Sequence, residues 1–458
     1  MATDMTVKSP GGSDTTFYQK LMRLVLPIAF QQFMLAAVSA SDAFMLGFVN
    51  QDSLSAASLA GQITFVFNLF MGGLTVGTSI LAAQYYGKGD KTSIEKIFAY
   101  VTKISFLISV VFFMASVMIP ERLMRIFTPE PRLISGGVVY LRIVAASYLF
   151  TGISQIFLCI LKNTGSAMKS MLIGSTSVVI NIALNAMLIF GIGIFPEMGI
   201  AGAALATTIA KLIEMAWAYG ESLRPGNARL RGNYLLHSDR LLRKDYWKYT
   251  VPMLGDYLVW GVGFSMYSVI MGHLGSDAVA ANSIANIVKN LIVCFCTGLG
   301  NGGGIIIGNE LGRNDLEQAK KYGAILCKMS IISGILSAVV LLAVSPWIIN
   351  VTELSAQAAD YLKWMLILCA CYMVGKSFNM TTIAGIFPAG GDAKFGLICD
   401  AVTMWAFAVP VGLLAAFVWH LPVIAVFLII NLDEIVKLPV VISRYQKYGW
   451  LKNLTREA

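Results

Sequence analysis

Four oxygen-bearing side chains lie inside otherwise apolar stretches of the first half of the chain. They are one aspartate, two asparagines spaced i, i+4, and one threonine: Asp42, Asn181, Asn185 and Thr207. A carboxylate inside a bilayer is disfavoured by roughly 2.5 to 3.5 kcal/mol, so acidic side chains there usually have a function. Carboxylate, amide and hydroxyl oxygens suit a hard monovalent cation or a proton rather than a soft metal. The set therefore predicts a cation-coupling site, with Na+ as one candidate occupant.

The second half carries a different set of polar side chains within apolar stretches. Asp256 and Trp260 are one helical turn apart, while Lys289, Lys376 and Asp400 lie in later stretches. Because unpaired charges are costly in lipid, we expect at least one Lys–Asp pair facing the bundle interior. Lys376 with Asp400 is the first candidate, and Lys376 with Asp256 is the second. A static ion pair and a role in ion coupling both explain such a pair.

Three further charged residues lie near the end of the last apolar stretch. Asp433 and Lys437 are spaced i, i+4, and Glu434 and Lys437 are spaced i, i+3, which allows pairing along a helix. We interpret these residues as a solvated or interfacial cluster.

Other chemistry is not indicated. No nucleophile–base pairing or H-E-x-x-H motif occurs, so we expect no catalytic residues and no cofactor. We therefore expect that the protein is not an enzyme. Seven cysteines lie in apolar stretches without a C-x-x-C pair and predict buried free thiols. The three histidines are scattered, so no structural metal is predicted. Gly298, Gly300 and Gly303 spell G-x-G-x-x-G, but no strand precedes them, which favours close helix packing over a dinucleotide site.

The composition requires these residues to be positioned by membrane helices. Of 458 residues, 57% are hydrophobic and only 13% are charged, and the mean hydropathy is +0.71. Twelve continuous apolar runs lie between residues 21 and 443, each long enough for a spanning helix. Continuous rather than alternating runs favour helices over a closed barrel. We predict an all-α polytopic membrane protein with twelve transmembrane helices.

Alternating helix directions bring the candidate cation ligands to one depth. The first run ends near Gly47, so Asp42 lies in its outer part, and Asn181 and Asn185 lie at a similar depth on one face of the fifth run. Thr207 lies about two turns into the sixth run. The alternative is structural, with Asp42 capping a helix end and the asparagines holding helices together.

An internal repeat divides the chain into two halves. Landmarks at the same kinds of helix end are all 225 residues apart: Pro27 and Pro252, Gly47 and Gly272, Gly87 and Gly312, Gly165 and Gly390. A constant offset without gaps indicates duplication. We predict lobes at 21–220 and 247–443, each with six helices, related by a pseudo-twofold axis along the membrane normal. Pro27 and Pro252 predict helix kinks.

The distribution of basic residues predicts how the protein is oriented in the membrane. Most of the 34 Lys and Arg lie in the segments on the side of the N-terminus, so both termini are predicted to be cytoplasmic, in the plasma (cytoplasmic) membrane. The cytoplasmic segments are an N-terminal tail at 1–20, a basic interlobe loop at 221–246 and a basic tail at 444–458. The loop has few aromatic residues, and no nucleic-acid binding is expected.

Six segments together resemble the multidrug and toxic compound extrusion (MATE) family. They are "LPIAFQQFMLAAVSASDAFMLG", "AAQYYGKGD", "NIALNAMLIFG", "GIAGAALAT", "GNELGRND" and "PAGGDAKF", which are spread over essentially the whole chain. The resemblance implies a V-shaped, two-lobed antiporter that exports organic cations or other amphipathic compounds in exchange for Na+ or H+. It also implies a cation site at Asp42, Asn181, Asn185 and Thr207. Some members carry a glutamate and an aspartate where this chain has Trp260 and Ser377, so the resemblance does not imply a cation site of that type in the second half.

A second hypothesis is a lipid-linked sugar flippase of the same broad superfamily. Its larger relatives have a cationic cavity, and Lys289 and Lys376 keep this alternative open. The expected partners are a small organic substrate and membrane lipids, and we expect a monomer. The sequence does not distinguish Na+ from H+ as the coupling ion.

Overall fold

The chain folds as an antiparallel bundle of long helices. A computed structural model describes residues 14–49, 51–193, 195–236, 239–352 and 354–456, and no β-strand occurs among these residues. The helices of the first half are α1 (Asp14–Val49), α2 (Gln51–Lys88), α3 (Lys91–Met118), α4 (Pro120–Arg125), α5 (Pro131–Asn163), α6 (Ala167–Phe190) and α7 (Gly199–Ser222). The later helices are α8 (Gly232–Leu236), α9 (Arg240–Gly272), α10 (Ser276–Gly312), α11 (Leu316–Val351), α12 (Ala356–Ala389), α13 (Ala393–Val418), α14 (Val423–Asn431), α15 (Asp433–Val436) and α16 (Leu438–Gln446).

Ten helices in the described part of the chain are long and apolar enough to cross a membrane. They correspond to ten of the twelve predicted spans. The seventh predicted span lies in α9, whose first turns carry several charges, and the twelfth is divided among α14, α15 and α16. All twelve apolar runs are therefore helical, which confirms the all-α fold.

The predicted interlobe loop at 221–246 contains helical structure. It includes α8 and the first turns of α9. Leu242 and Tyr246 in these turns are buried, so their packing stabilises the helix before the apolar run begins. Asp239 caps α9 by accepting hydrogen bonds from the backbone N–H groups of Leu241 (3.0 Å) and Leu242 (3.4 Å). Hydrogen bonds from these N–H groups, that of Leu242 above all, lower the pKa of the Asp239 carboxyl. The predicted N-terminal tail is also shortened, since α1 begins at Asp14.

Prolines lie close to two of the π-helical segments of α12 and α13, whereas the segment Leu414–Val418 contains none. Wider, π-helical turns at Thr382–Ile386 and Ala401–Ala408 directly precede Pro388 and Pro410, which cannot donate the regular backbone hydrogen bond. The last predicted span is interrupted at Leu432 and Lys437, and Pro439 lies in the first turn of α16. Pro27 and Pro252 lie inside α1 and α9, which continue past them. The predicted kinks at these two positions stay predictions.

Glycines at repeat-equivalent positions lie at equivalent helix contacts between the two halves. On α10, a Cβ at Gly298 would lie 2.7 Å from the Ala29 side chain of α1. On α2, the repeat-equivalent Gly73 faces Leu254 of α9, at 2.7 Å by the same measure. Each half therefore presents its second long helix to the first helix of the other half, and only a missing side chain permits the close approach.

The closest approach lies at the end of the bundle where α1 begins, which we call the terminal end. A Cβ added to Gly87, at the end of α2, would collide with the backbone carbonyl of Asn309 in α10. Its repeat equivalent Gly312 faces the carbonyl of Gln84 in the same way. Two equivalent crossings thus lock the halves together at the terminal end.

Gly87→Ala is expected to destabilise this junction, because the new methyl group meets a backbone carbonyl that cannot move independently. We expect a loss of about 1 to 3 kcal/mol, as is typical of overpacking, measured by thermal unfolding in detergent. Gly61→Ala is the matched control, since Gly61 lies on the same helix with nothing within 4 Å of its added Cβ. Equal stability of the two variants would contradict a tight junction.

A C-terminal segment, residues 450–456, crosses the junction and is called the strap. The buried Gln84 side chain donates Nε2 hydrogen bonds to the carbonyls of Ala389 (2.7 Å) and Lys452 (3.1 Å), and its Oε1 accepts one from the Leu454 N–H (2.6 Å). Trp450 is fully buried. The strap therefore joins α2 of the first half to α12 of the second.

Candidate cation site and central cavity

The four predicted cation ligands form one hydrogen-bonded chain. Asn185 Nδ2 lies 2.5 Å from Asp42 Oδ1 and 3.1 Å from Asn181 Oδ1, and donates to both. Asn181 Nδ2 donates to Thr207 Oγ1 at 3.2 Å. These hydrogen bonds join α1, α6 and α7 in the half of the bundle away from the terminal end. The sequence prediction of proximity holds, and the role of these residues as a cation site stays a prediction.

Packing between α6 and α7 holds this chain in place. Gly202 lies against the Leu188 carbonyl, and Ser177 Oγ donates to the Ala210 carbonyl at 3.0 Å. Asn185 is fully buried, and its Oδ1 has no hydrogen-bond partner among the described residues. A buried acceptor without a partner beside a carboxylate suits a bound cation or a proton donor.

A cavity of about 540 Å³ lies next to this chain. Helices of the first half form most of its wall, and short parts of α9, α10 and α12 complete it. Thr207 belongs both to the hydrogen-bonded chain and to the cavity wall. A molecule in the cavity can therefore contact Thr207, the residue that also accepts a hydrogen bond from Asn181.

The expected pairing of Lys376 with Asp400 or Asp256 is wrong. Lys376 Nζ lies 2.9 Å from Glu434 Oε1, and Asn379 Nδ2 donates to Glu434 Oε2 at 3.0 Å. Glu434 is directed toward α12 because the helix is interrupted on both sides of α15. Pro439 is the one residue of this stretch that indicates a break.

The interpretation of Asp433, Glu434 and Lys437 as a solvated cluster is also wrong. All three are buried, with Lys437 only 4% exposed. Lys437 Nζ lies 3.1 Å from Asp400 Oδ1, 3.4 Å from Glu434 Oε2 and 3.6 Å from Asp433 Oδ2. One lysine therefore neutralises carboxylates from α13 and α15. We call Lys376, Asp400, Asp433, Glu434 and Lys437 the buried charge cluster.

The other polar residues predicted in the second half lie outside the ion pairs of the buried charge cluster, although Asp256 and Lys289 are close enough to interact electrostatically with its members. Asp256 is buried next to Gly396, and its Oδ1 has no hydrogen-bond partner among the described residues. Lys289 donates to Asn286 Oδ1 at 2.8 Å and lies 5.7 Å from the centre of the Phe264 ring. Trp260 stacks on the same ring at 5.6 Å and is 38% exposed. The second half therefore contains a charge cluster rather than one Lys–Asp pair.

The glycine motif has the predicted packing role. Gly298 faces Ala29, Gly300 faces the Met380 carbonyl, and Gly303 faces the Leu326 side chain. All seven cysteines are free, and five are buried as predicted, but Cys327 is half-buried and Cys371 on α12 is exposed. Among the described residues, no group of three or more His, Cys, Asp or Glu side chains could hold a metal ion.

Two charged side chains in the cavity wall were not among the predicted site residues. Lys162 lies in the last turn of α5 and Lys211 lies within α7, and both line the cavity. Lys211 Nζ pairs with Glu214 Oε2 at 2.7 Å, and Glu214 is 2% exposed. The i, i+3 spacing of Lys211 and Glu214 within an apolar stretch was the available signal.

Long apolar helices around a polar cavity define the class of the protein as a polytopic membrane transporter. The family model for MatE matches twice, at residues 27–187 and 252–414, and the two matches begin 225 residues apart. The chain therefore belongs to the MatE family, whose relatives are transporters and not enzymes.

Similar proteins extend over nearly the full length. An uncharacterized transporter, YisQ, of Bacillus subtilis is 24% identical, with 96% of each chain covered. A probable multidrug resistance protein, NorM, of Bradyrhizobium diazoefficiens is 24% identical, covering 94% of this chain and 93% of the relative. A solved MOP superfamily transporter from Pyrococcus furiosus has a TM-score of 0.86 at 18% identity, covering 96% of this chain and 97% of that chain. This structural similarity supports the same fold.

Proposed function

We propose that this protein is a secondary active antiporter. It exports amphipathic organic compounds through the central cavity by alternating access, in exchange for Na+ or H+ bound at Asp42, Asn181, Asn185 and Thr207. The observation that carries the proposal is the hydrogen-bonded chain from Asp42 to Thr207, because Thr207 also lines the cavity. Ion binding at one end of the chain can thus alter the wall that the substrate contacts.

The relatives support this direction of transport. The NorM proteins and PmpM of Pseudomonas aeruginosa, which is 21% identical over 86% of this chain, carry multidrug resistance in their names. We further propose that the lobes at 21–220 and 247–443 move as units in a monomer, and that the terminal end faces the cytoplasm. The concentration of Lys and Arg near that end supports the orientation.

We assign a structural role to the polar residues of the second half. Lys376 and Asp400 each contact an opposite charge within the buried charge cluster, so the cluster fixes α12, α13 and α15 relative to one another. The flippase hypothesis depended on Lys289 and Lys376 as cavity cations. Lys376 is paired with Glu434, and neither lysine lines the central cavity, so these two residues do not support that hypothesis.

Transport by the purified full-length protein in liposomes tests the proposed function. A panel of fluorescent amphipathic dyes with cationic, neutral and anionic members is combined with an imposed Na+ gradient, a pH gradient or no gradient. We expect dye movement against its own concentration difference under one gradient, and its loss when an ionophore collapses that gradient. Behaviour identical to protein-free liposomes for every dye and gradient would overturn the proposal.

A further inference from the structure

The charged side chains in the wall of the central cavity are cationic. Lys162 and Lys211 line it, and no aspartate or glutamate does so among the described residues. A cavity adapted to organic cations would be expected to present a carboxylate to them. The wall of this cavity has the opposite character.

The two lysines differ in their partners. Lys211 is neutralised by Glu214, whose second oxygen, Oε1, accepts a hydrogen bond from Ser154 Oγ at 2.7 Å. Both carboxylate oxygens of Glu214 therefore already have a partner. Lys162 makes no ion pair or hydrogen bond among the described residues, although Cys159 and Glu214 lie close enough to interact electrostatically with its ammonium group. Its ammonium group is the charge that a ligand could contact.

The nearby carboxylate of the cation site does not cancel this charge at the wall. Asp42 is not part of the cavity lining, and its carboxylate is linked to the lining residue Thr207 through hydrogen bonds of Asn185 and Asn181. A coupling cation and an anionic ligand would thus occupy adjacent but separate places.

The remaining wall suits an elongated amphipathic body. Cavity-lining residues follow one face of α5 from Tyr148 through Thr151, Gln155 and Cys159 to Lys162. At 1.5 Å per residue this face is about 20 Å long, with Lys162 near the terminal end. Phe67 and Met71 of α2 supply apolar surface along the same cavity.

We propose that the central cavity binds amphipathic organic anions, with an apolar body between α2 and α5 and a carboxylate, sulfonate or phosphate group at Lys162. This inference rests on the proposed function in that it assigns the charge of the exported compound. It differs from the expectation of cationic substrates that the family resemblance implies.

Binding to the purified full-length protein in detergent tests the inference without any ion gradient. The probes are 2-naphthalenesulfonate and 2-naphthyltrimethylammonium, which share an aromatic body and differ in charge, and equilibrium dialysis measures their Kd values. We expect the sulfonate to bind at least about tenfold more tightly, as for a charge-assisted hydrogen bond. Equal or tighter binding of the ammonium probe would overturn the proposal.

Variants test the contribution of Lys162. Lys162→Met is expected to weaken sulfonate binding by about tenfold or more, while Lys162→Arg retains most of it. Lys103→Met is the matched control, since Lys103 is an exposed lysine of α3 outside the cavity wall. If Lys162→Met folds and binds the sulfonate like the wild type, the proposal is wrong. If Lys162→Met does not fold, the comparison of the two probes on the wild type still tests whether the cavity prefers anions.

Competition identifies the source of the anion. Displacement of the sulfonate by short-chain phosphatidylglycerol, but not by short-chain phosphatidylcholine, would support binding of a lipid phosphate. Displacement by neither lipid, with intact Lys162-dependent sulfonate binding, would support a soluble organic anion.

The binding assay also separates this inference from the proposed function. Lys162-dependent sulfonate binding without gradient-driven transport would support the inference while contradicting the antiporter. Gradient-driven export of cationic dyes only, unchanged in Lys162→Met, would contradict the inference while supporting the antiporter.

Discussion

Replacing Asp42 by asparagine is expected to leave a folded protein that no longer couples export to an ion gradient. The substitution keeps the shape of the side chain, but it removes the negative charge next to Asn185. To move a two-state equilibrium from 1:99 to 99:1, a ligand must bind one state about 10⁴-fold more tightly than the other. Without the carboxylate this difference is lost, and gradient-driven export should fall by about a hundredfold or more, to the rate without a gradient.

The measurement is dye export by liposomes containing equal amounts of each protein. Asp52→Asn is the matched control, because Asp52 is an exposed aspartate in the first turn of α2. It should export like the wild type. Wild-type export by a folded Asp42→Asn protein would show that the coupling ion binds elsewhere.

Lys437→Met is expected to cause the largest loss of stability in the second half. The lysine is buried and lies within 4 Å of Asp400, Asp433 and Glu434. Its removal leaves Glu434 paired with Lys376, but Asp400 and Asp433 without an ion-pair partner among the described residues. Removing one partner from a buried ion pair costs about 3 to 5 kcal/mol, because the other charge stays desolvated. Thermal unfolding in detergent measures the loss.

A second substitution distinguishes lost pairing from lost packing. Adding Asp400→Asn to Lys437→Met removes one of the unmatched charges and should recover part of the stability. Lys363→Met is the control, because Lys363 is an exposed lysine of α12. If the double variant is no more stable than Lys437→Met, the buried charge cluster does not stabilise the fold through charge pairing.

The sequence predicted the proximity of Asp42, Asn181, Asn185 and Thr207 because this proximity depends only on helix periodicity and helix direction. The i, i+4 spacing of Asn181 and Asn185 puts both on one face of any helix, and alternating helix directions bring Asp42 to the same depth. The repeat was equally informative, because glycines 225 residues apart take part in equivalent crossings of the two halves.

The second-half charges could not be assigned in the same way. Their pairing depends on turns at Leu432 and Lys437 that rotate Glu434 toward Lys376, and a continuous helix was the natural expectation for this stretch. Lys162 was missed for a different reason. It lies at a helix end, where a lysine ordinarily reaches water, and only the assembled bundle directs it into the cavity.

The strap has a practical consequence for how this protein is labelled. Its backbone is bound by Gln84, and the Arg456 guanidinium contacts Asp245 Oδ2 at 2.5 Å, two residues before Ala458. An affinity tag or fluorescent protein fused to Ala458 therefore begins directly beside contacts that hold the two halves together. Competition for those contacts would change the balance of conformations that a reporter is meant to observe. A removable C-terminal tag, compared before and after cleavage, separates the behaviour of the transporter from that of its label.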